Sequence, residues 1–233
     1  MKRFVNGVLS FLIVIYVLAA CNPLAKKNSQ KEKVQVALQR MPYLQSAIAD
    51  SISVLWRTNV GSECMVKYQL IQGGDWLQQT GEVRSKNDSV QENIATINGL
   101  KRGQIYAYKV FTDGVQLASD KELQFRSALA STDSVFTFFA AGDIGESVED
   151  GGTPDKLAKT IWERNSAYDL GLLLGDIIYP IGESAGYDIH LFPYFKDVFS
   201  RTTTWPIPGN HDWGSDIKTN YAEQWKLPGN EHY

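Results

Sequence analysis

The sequence predicts a multi-domain chain, with an antiparallel β-sandwich first and an α/β domain on a parallel sheet after it. Three observations predict this. Apolar and polar residues alternate with period two through most of residues 42–127, as in half-buried strands. From residue 135, short apolar runs alternate with helical patterns in the order βαβαβ, which calls for parallel strands. Each of those three runs ends in a cluster of flexible and polar residues: Gly142-Asp143-Ile144-Gly145, Gly175-Asp176-Ile177-Ile178-Tyr179 and Gly209-Asn210-His211-Asp212.

The N-terminus stands apart from both domains. Lys2 and Arg3 precede an apolar run over residues 8–20, broken only by Ser10. Its length and flanks suit a secretory signal rather than a membrane span. The run ends in Leu18-Ala19-Ala20-Cys21, which resembles a bacterial lipobox. That resemblance implies cleavage before Cys21, acylation of its thiol and an exported lipoprotein of the cell envelope (outer membrane, periplasm or cell surface), held to the membrane by lipid. The alternative is an uncleaved anchor with Cys21 as a bystander. Residues 21–36 are polar and lysine-rich and read as a tether.

Charge and cysteine count narrow the partners. The chain has 23 Lys and Arg against 26 Asp and Glu; loss of residues 1–20 leaves 21 against 26, a net charge of −5. No basic stripe marks a nucleic-acid partner. With Cys21 acylated, only Cys64 remains, so no intrachain disulfide forms, and Cys64 reads as a small buried apolar residue of a strand.

Residues 37–127 form the predicted sandwich. Ile52, Val54 and Trp56 point one way, and Ser51 and Ser53 the other. Cys64, Val66, Tyr68 and Leu70 alternate with Met65, Lys67 and Gln69. Residues 105–111 are aromatic and β-branched, and Asp113-Gly114 supplies a hairpin turn. Residues 100–110 resemble the turn-and-strand signature of fibronectin type III-like domains, with Tyr106 as the candidate corner tyrosine; otherwise Tyr106 and Tyr108 are ordinary strand aromatics. Nothing in this domain has catalytic spacing. Residues 128–134 are small and polar, a linker.

In residues 135–233 the first strand is read over 135–141. Thr153, Pro154 and Asp155 start a helix as N-cap, first helical residue and first-turn acid, and Leu157, Ala158, Ile161 and Trp162 share one face. Residues 170–174 are the second strand. A second helix is expected over 189–199, limited or kinked by Pro193. Residues 203–207 are the third strand. In such sheets ligands bind beyond the carboxyl ends of the strands, where all three clusters fall.

The chemistry of the clusters points to metal. Asp143, Asp176 and Asp212 are hard oxygen donors, and Asn210 offers an amide oxygen. Tyr179 binds as a phenolate where a cation depresses its pKa. His211 suits hydrogen bonding to an anionic substrate or leaving group. A carboxylate on the middle strand, Asp176, is placed to bridge two cations, and a cation pair suits in-line attack on a phosphoryl group. Taken singly, a Gly-Asp pair is an ordinary turn and Tyr179 an ordinary tyrosine. His190 and His232 belong to no ligand-like cluster.

Together the clusters resemble the first three motif blocks of the calcineurin-like metallophosphoesterase superfamily, and within it the purple acid phosphatases. General members carry Asp-x-His in the first block; here the triplet is Asp143-Ile144-Gly145. Tyr179, three residues after Asp176, is the purple acid phosphatase arrangement. The resemblance implies that Asp143, Asp176 and Tyr179 bind Fe(III). It implies that Asp176 bridges to a second divalent metal (Fe, Zn or Mn) also held by Asn210, and that His211 faces the phosphate. Asp212, where relatives often have glutamate, would support from behind or assist catalysis. The implied reaction is hydrolysis of phosphate monoesters at acidic pH.

The family completes its site with a Val-x-x-His and a Gly-His-x-His block. Neither occurs here, so the chain is expected to be a fragment holding the first half of the catalytic domain, and nearly inactive alone. The alternatives are a phosphodiesterase or nucleotidase of the same superfamily, and a non-catalytic surface lipoprotein.

Overall fold

The computed structural model describes residues 34–87, 89–214, 216 and 220–229. The leader, Cys21 and His232 lie outside them. Nine strands form two antiparallel sheets. The first joins β1 (Leu38–Ile48), β2 (Ser51–Thr58), β6 (Val90–Ile97) and β5 (Glu82–Asn87), in that order. The second joins β4 (Leu77–Thr80), β3 (Cys64–Leu70), β7 (Ile105–Thr112) and β8 (Val115–Leu117), with β9 (Leu123–Arg126) also on β7.

The alternation read in the sequence is what fills the space between these sheets. Ile52, Val54 and Trp56 from β2 meet Val66, Tyr108 and Val110, all buried. Cys64 is buried among them as a free thiol, pushed up to about 11 chiefly by burial. Asp113 and Gly114 both take positive φ, 47° and 78°, as a two-residue hairpin between right-twisted strands requires. The Tyr106 hydroxyl accepts the Lys101 N–H at 2.8 Å, the corner contact expected of it.

The second half is a three-stranded parallel sheet in the order β10 (Phe138–Ala141), β11 (Leu170–Leu174) and β12 (Thr204–Ile207). Strand β10 begins three residues later than the apolar run; Val135 and Phe136 are exposed. Helix α1 (Pro154–Arg164) begins at Pro154, but Thr153 makes no side-chain cap bond, and Pro154, Ala158 and Ile161 are the residues it buries.

The second helical segment differs from the expectation. It starts at α2 (Ser184–Gly186), runs through a π-helical turn (Tyr187–Leu191) and continues as α3 (Phe192–Phe199). Pro193 does not break it, because it sits in the first turn of α3, where its missing N–H is not needed.

Both helical segments pack on one face of the parallel sheet, around Phe139, Leu173, Phe195 and Phe199. The opposite face is apolar and open. Phe138, Leu174 and Ile207 are 51%, 54% and 47% exposed. Parallel sheets are ordinarily covered on both faces, so this surface is unusual for a finished layer.

The two halves share a core. Tyr43, Leu55 and Ile94 of the first antiparallel sheet pack with Phe192, Tyr187 and Trp225. Polar contacts tie them too: Gln45 donates to the Thr204 carbonyl at 3.0 Å, and the Tyr108 hydroxyl to the Ser200 carbonyl at 2.7 Å.

Candidate active site

Gly142-Asp143 follows β10, Gly175-Asp176 follows β11 and Gly209-Asn210-His211 follows β12, so the parallel sheet delivers all three turns to one rim. The backbone stitches them together. Asp143 N–H donates to the Gly175 carbonyl at 3.2 Å, Ile144 N–H to Asp176 at 3.3 Å and Tyr179 N–H to Gly145 at 3.3 Å.

Asp143 and Asp176 both adopt left-handed backbone, φ 54° and 49°. Non-glycine residues rarely do so, and aspartate tolerates it best. Two such residues on one rim are the strained positions that cluster at functional sites.

Glycines let the turns approach. A Cβ at Gly145 would lie 2.0 Å from the Ile177 carbonyl oxygen, and one at Gly209 would lie 2.2 Å from Asp176 Oδ1. The surroundings of Gly145 admit no side chain.

Asp176 is the hub. Its Oδ1 accepts the His211 N–H at 2.8 Å and its Oδ2 accepts the Tyr179 hydroxyl at 3.3 Å. With its amide turned so that nitrogen faces Asp176, Asn210 donates to Oδ2 at 3.3 Å. The Tyr179 hydroxyl also donates to Asp143 Oδ1, so one phenol spans the two carboxylates. Donation to Asp143, then desolvation and the two negative charges, hold the phenol above its ordinary range. No lysine or arginine pairs with Asp143 or Asp176 among the described residues.

The His211 ring lies 4.2 Å from that of Tyr179, and its Nδ1 is 2.6 Å from the Pro180 carbonyl. A carbonyl only accepts, so Nδ1 carries the proton.

Asp212 is placed differently from the rim residues. It is fully buried beneath the turns, and its carboxylate accepts the N–H groups of Ile177 (3.0 Å), Ile178 (3.3 Å) and Gly209 (2.8 Å). Burial holds its carboxyl above the usual range despite these bonds. It positions the second and third turns and does not face the rim. His190 is half-buried in the π-helical turn, away from the cluster.

The structure thus brings together Asp143, Asp176, Tyr179, Asn210 and His211. Among the described residues, no three His, Cys, Asp or Glu side chains form a metal-holding group. Two carboxylates and a phenol are hard oxygen donors that suit a hard cation, with the Asn210 amide and the His211 imidazole beside them. Sequence reasoning missed Tyr187, whose hydroxyl lies 3.5 Å from Asp212 Oδ1, and the Pro180 carbonyl. No local pattern marks either one.

No family model and no curated protein matches the sequence. Among solved structures, the purple acid phosphatase PPD1 from yellow lupin (Lupinus luteus) seeds matches with a TM-score of 0.62 and 18% identity, over 73% of this chain and 35% of that one. The chain therefore folds like part of a purple acid phosphatase, spanning about a third of that protein's length. The sensor domain of the anti-sigma factor RsgI4 from Pseudobacteroides cellulosolvens matches with a TM-score of 0.31 and 20% identity, over 44% of this chain and 96% of that one.

Proposed function

We propose that the chain carries one half of a dinuclear metallophosphoesterase site that hydrolyses phosphate monoesters. The observation that carries this reading is the Asp143–Tyr179–Asp176 cluster. Two carboxylates bridged by a phenol, with no cationic side chain paired to them among the described residues, stand on the rim of a fold like that of a purple acid phosphatase.

Asp143, Asp176 and Tyr179 would hold Fe(III), and Asp176 with Asn210 a divalent Fe, Zn or Mn. When bound, such a pair supplies Lewis acidity and a hydroxide nucleophile. The chain's own residues do the rest. Asp176 fixes the third turn through the His211 N–H, and Asp212 fixes the second and third from below. The Pro180 carbonyl holds the His211 ring by Nδ1, so that Nε2 would be available to a substrate. In its imidazolium form, Nε2–H would donate to a phosphate oxygen or protonate the leaving alkoxide.

The open face bearing Phe138, Leu174 and Ile207 supports a further layer of polypeptide that covers the sheet. The leader and Cys21 support attachment of the chain to a membrane from the exported side.

The reading is tested by adding ferric iron to the purified chain and recording its visible spectrum. A tyrosinate charge-transfer band is expected, lost in Tyr179→Phe and Asp176→Asn. A band that persists in both variants, or no iron binding at all, overturns the assignment. The ratio of monoester to diester turnover by the metal-loaded protein separates phosphatase from phosphodiesterase.

A further inference from the structure

The π-helical turn Tyr187–Leu191 takes hold of two different parts of the molecule with consecutive residues. Asp188 reaches the sandwich. Its Oδ1 accepts from Arg40 Nε at 2.8 Å and its Oδ2 from Arg57 Nη1 at 2.6 Å. Arg40 and Arg57 are buried, on β1 and β2, and Arg57 also pairs with buried Glu92 of β6. Gln224 Oε1 accepts from both guanidinium groups, at 3.0 and 2.8 Å. The carboxylates of Asp188, 43% exposed, and of buried Glu92 balance the two buried arginines, and removing Asp188 would leave the buried Arg40 guanidinium without a carboxylate.

Tyr187 reaches the other way. It is fully buried, edge-on to Trp225, and its hydroxyl donates to Asp212 Oδ1 at 3.5 Å. Asp212 in turn holds the N–H groups of Ile177, Ile178 and Gly209. Irregular π turns inside helices recur where function needs a register that an α-helix does not give. Here one turn joins the charged floor of the sandwich to the carboxylate beneath the rim.

We infer that the sandwich positions the second and third turns through this π turn: Asp188, clamped by Arg40 and Arg57, fixes the turn, and Tyr187 props Asp212 under Ile177 and Ile178. Asp188 and Tyr187 are then positioning residues. That they serve a phosphoesterase site rests on the reading above; the mechanical link does not. The sandwich is accordingly part of the site's framework, and not an independent binding module appended to it.

The test is amide hydrogen exchange on the chain without metal or substrate, so failure of the phosphatase reading and failure of this inference are separate results. The readouts are the Ile177 and Ile178 amides, which Asp212 accepts directly, against Val66 and Val110 in the sandwich core. Tyr187→Phe keeps the ring and removes the hydroxyl. It is expected to speed exchange at Ile177 and Ile178 about twofold, the factor of a long hydrogen bond at the low end of the ordinary range, and to leave Val66 and Val110 unchanged. Asp188→Asn is expected to act in the same direction, and the double variant to add less than the sum of the two. Unchanged exchange at Ile177 and Ile178 overturns the inference. So does acceleration in step with Val66 and Val110, and so does full additivity. Should Asp188→Asn not fold, Tyr187→Phe decides on the same readings.

Discussion

The buried carboxylate of Asp212 accepts the backbone N–H of Ile177 at 3.0 Å, across a sequence separation of 35 residues. This bond, with those to Ile178 and Gly209, locks the turn after β12 to the turn after β11. Asp212→Ala would leave these amides buried without an acceptor. The expected cost is about 3 kcal/mol, since each orphaned buried donor costs about 1–3 kcal/mol and the site relaxes in part. Urea denaturation measures it. A loss below about 0.5 kcal/mol, the level of an ordinary surface change, would show that the staple contributes nothing.

Gly145 is a steric requirement. Gly145→Ala places a methyl 2.0 Å from the Ile177 carbonyl, against backbone that has no free direction in which to move. Destabilisation of about 3 kcal/mol is expected, the upper range for overpacking. Thermal unfolding reports it, and an unchanged melting temperature would mean that the turns can separate.

The Cys64 thiol is pushed from 9.0 to about 11, chiefly by burial. A folded value above the unfolded one means that the contribution to stability is complete below the ordinary thiol range. It is lost as pH rises through about 11. Stability should therefore fall between pH 9 and 11, and less so in Cys64→Ala. At pH 8 the thiolate population is about a hundredfold below that of a free thiol, so Cys64 should react with an aromatic disulfide reagent at least that much more slowly. Rapid labelling in the native state would contradict both statements.

The open sheet face should drive self-association. Leu174→Lys with Ile207→Lys puts charge at two half-exposed positions. Light scattering is expected to show less association, with stability within about 0.5 kcal/mol of the parent. Unfolding of the double variant would mean that the face is packed in solution.

Added iron and zinc should not make the chain an efficient phosphatase. Turnover of p-nitrophenyl phosphate is expected near background, because among the described residues no three His, Cys, Asp or Glu side chains form a metal-holding group. Turnover comparable to a purple acid phosphatase would show that the described residues already suffice.

Several elements were legible from the residues alone. The period of two over 51–56 and 64–70 matches β2 and β3; β3 is buried on one face, whereas β2 is buried on both, with Leu55 and Arg57 turned to the second half. Asp113-Gly114 read as a hairpin turn because few residues accept two positive φ angles in succession. The segment beginning at Ser184 was read late and as a kinked helix, since a π turn leaves no periodic mark in the sequence and Pro193 suits a helix start as well as a break.

By itself the sequence determined which turns carry the polar cluster: glycine, aspartate and asparagine at the ends of three strands, with Tyr179 three residues past Asp176. Turn chemistry is local, so neighbouring residues suffice to state it. Only the tertiary structure decided how those turns meet. It put Asp212 beneath the rim, made Gly145 the one residue that fits against Ile177, left one sheet face open, and joined Asp188 to Arg40 across 148 residues. Contacts at such separations depend on packing geometry, which no local pattern encodes.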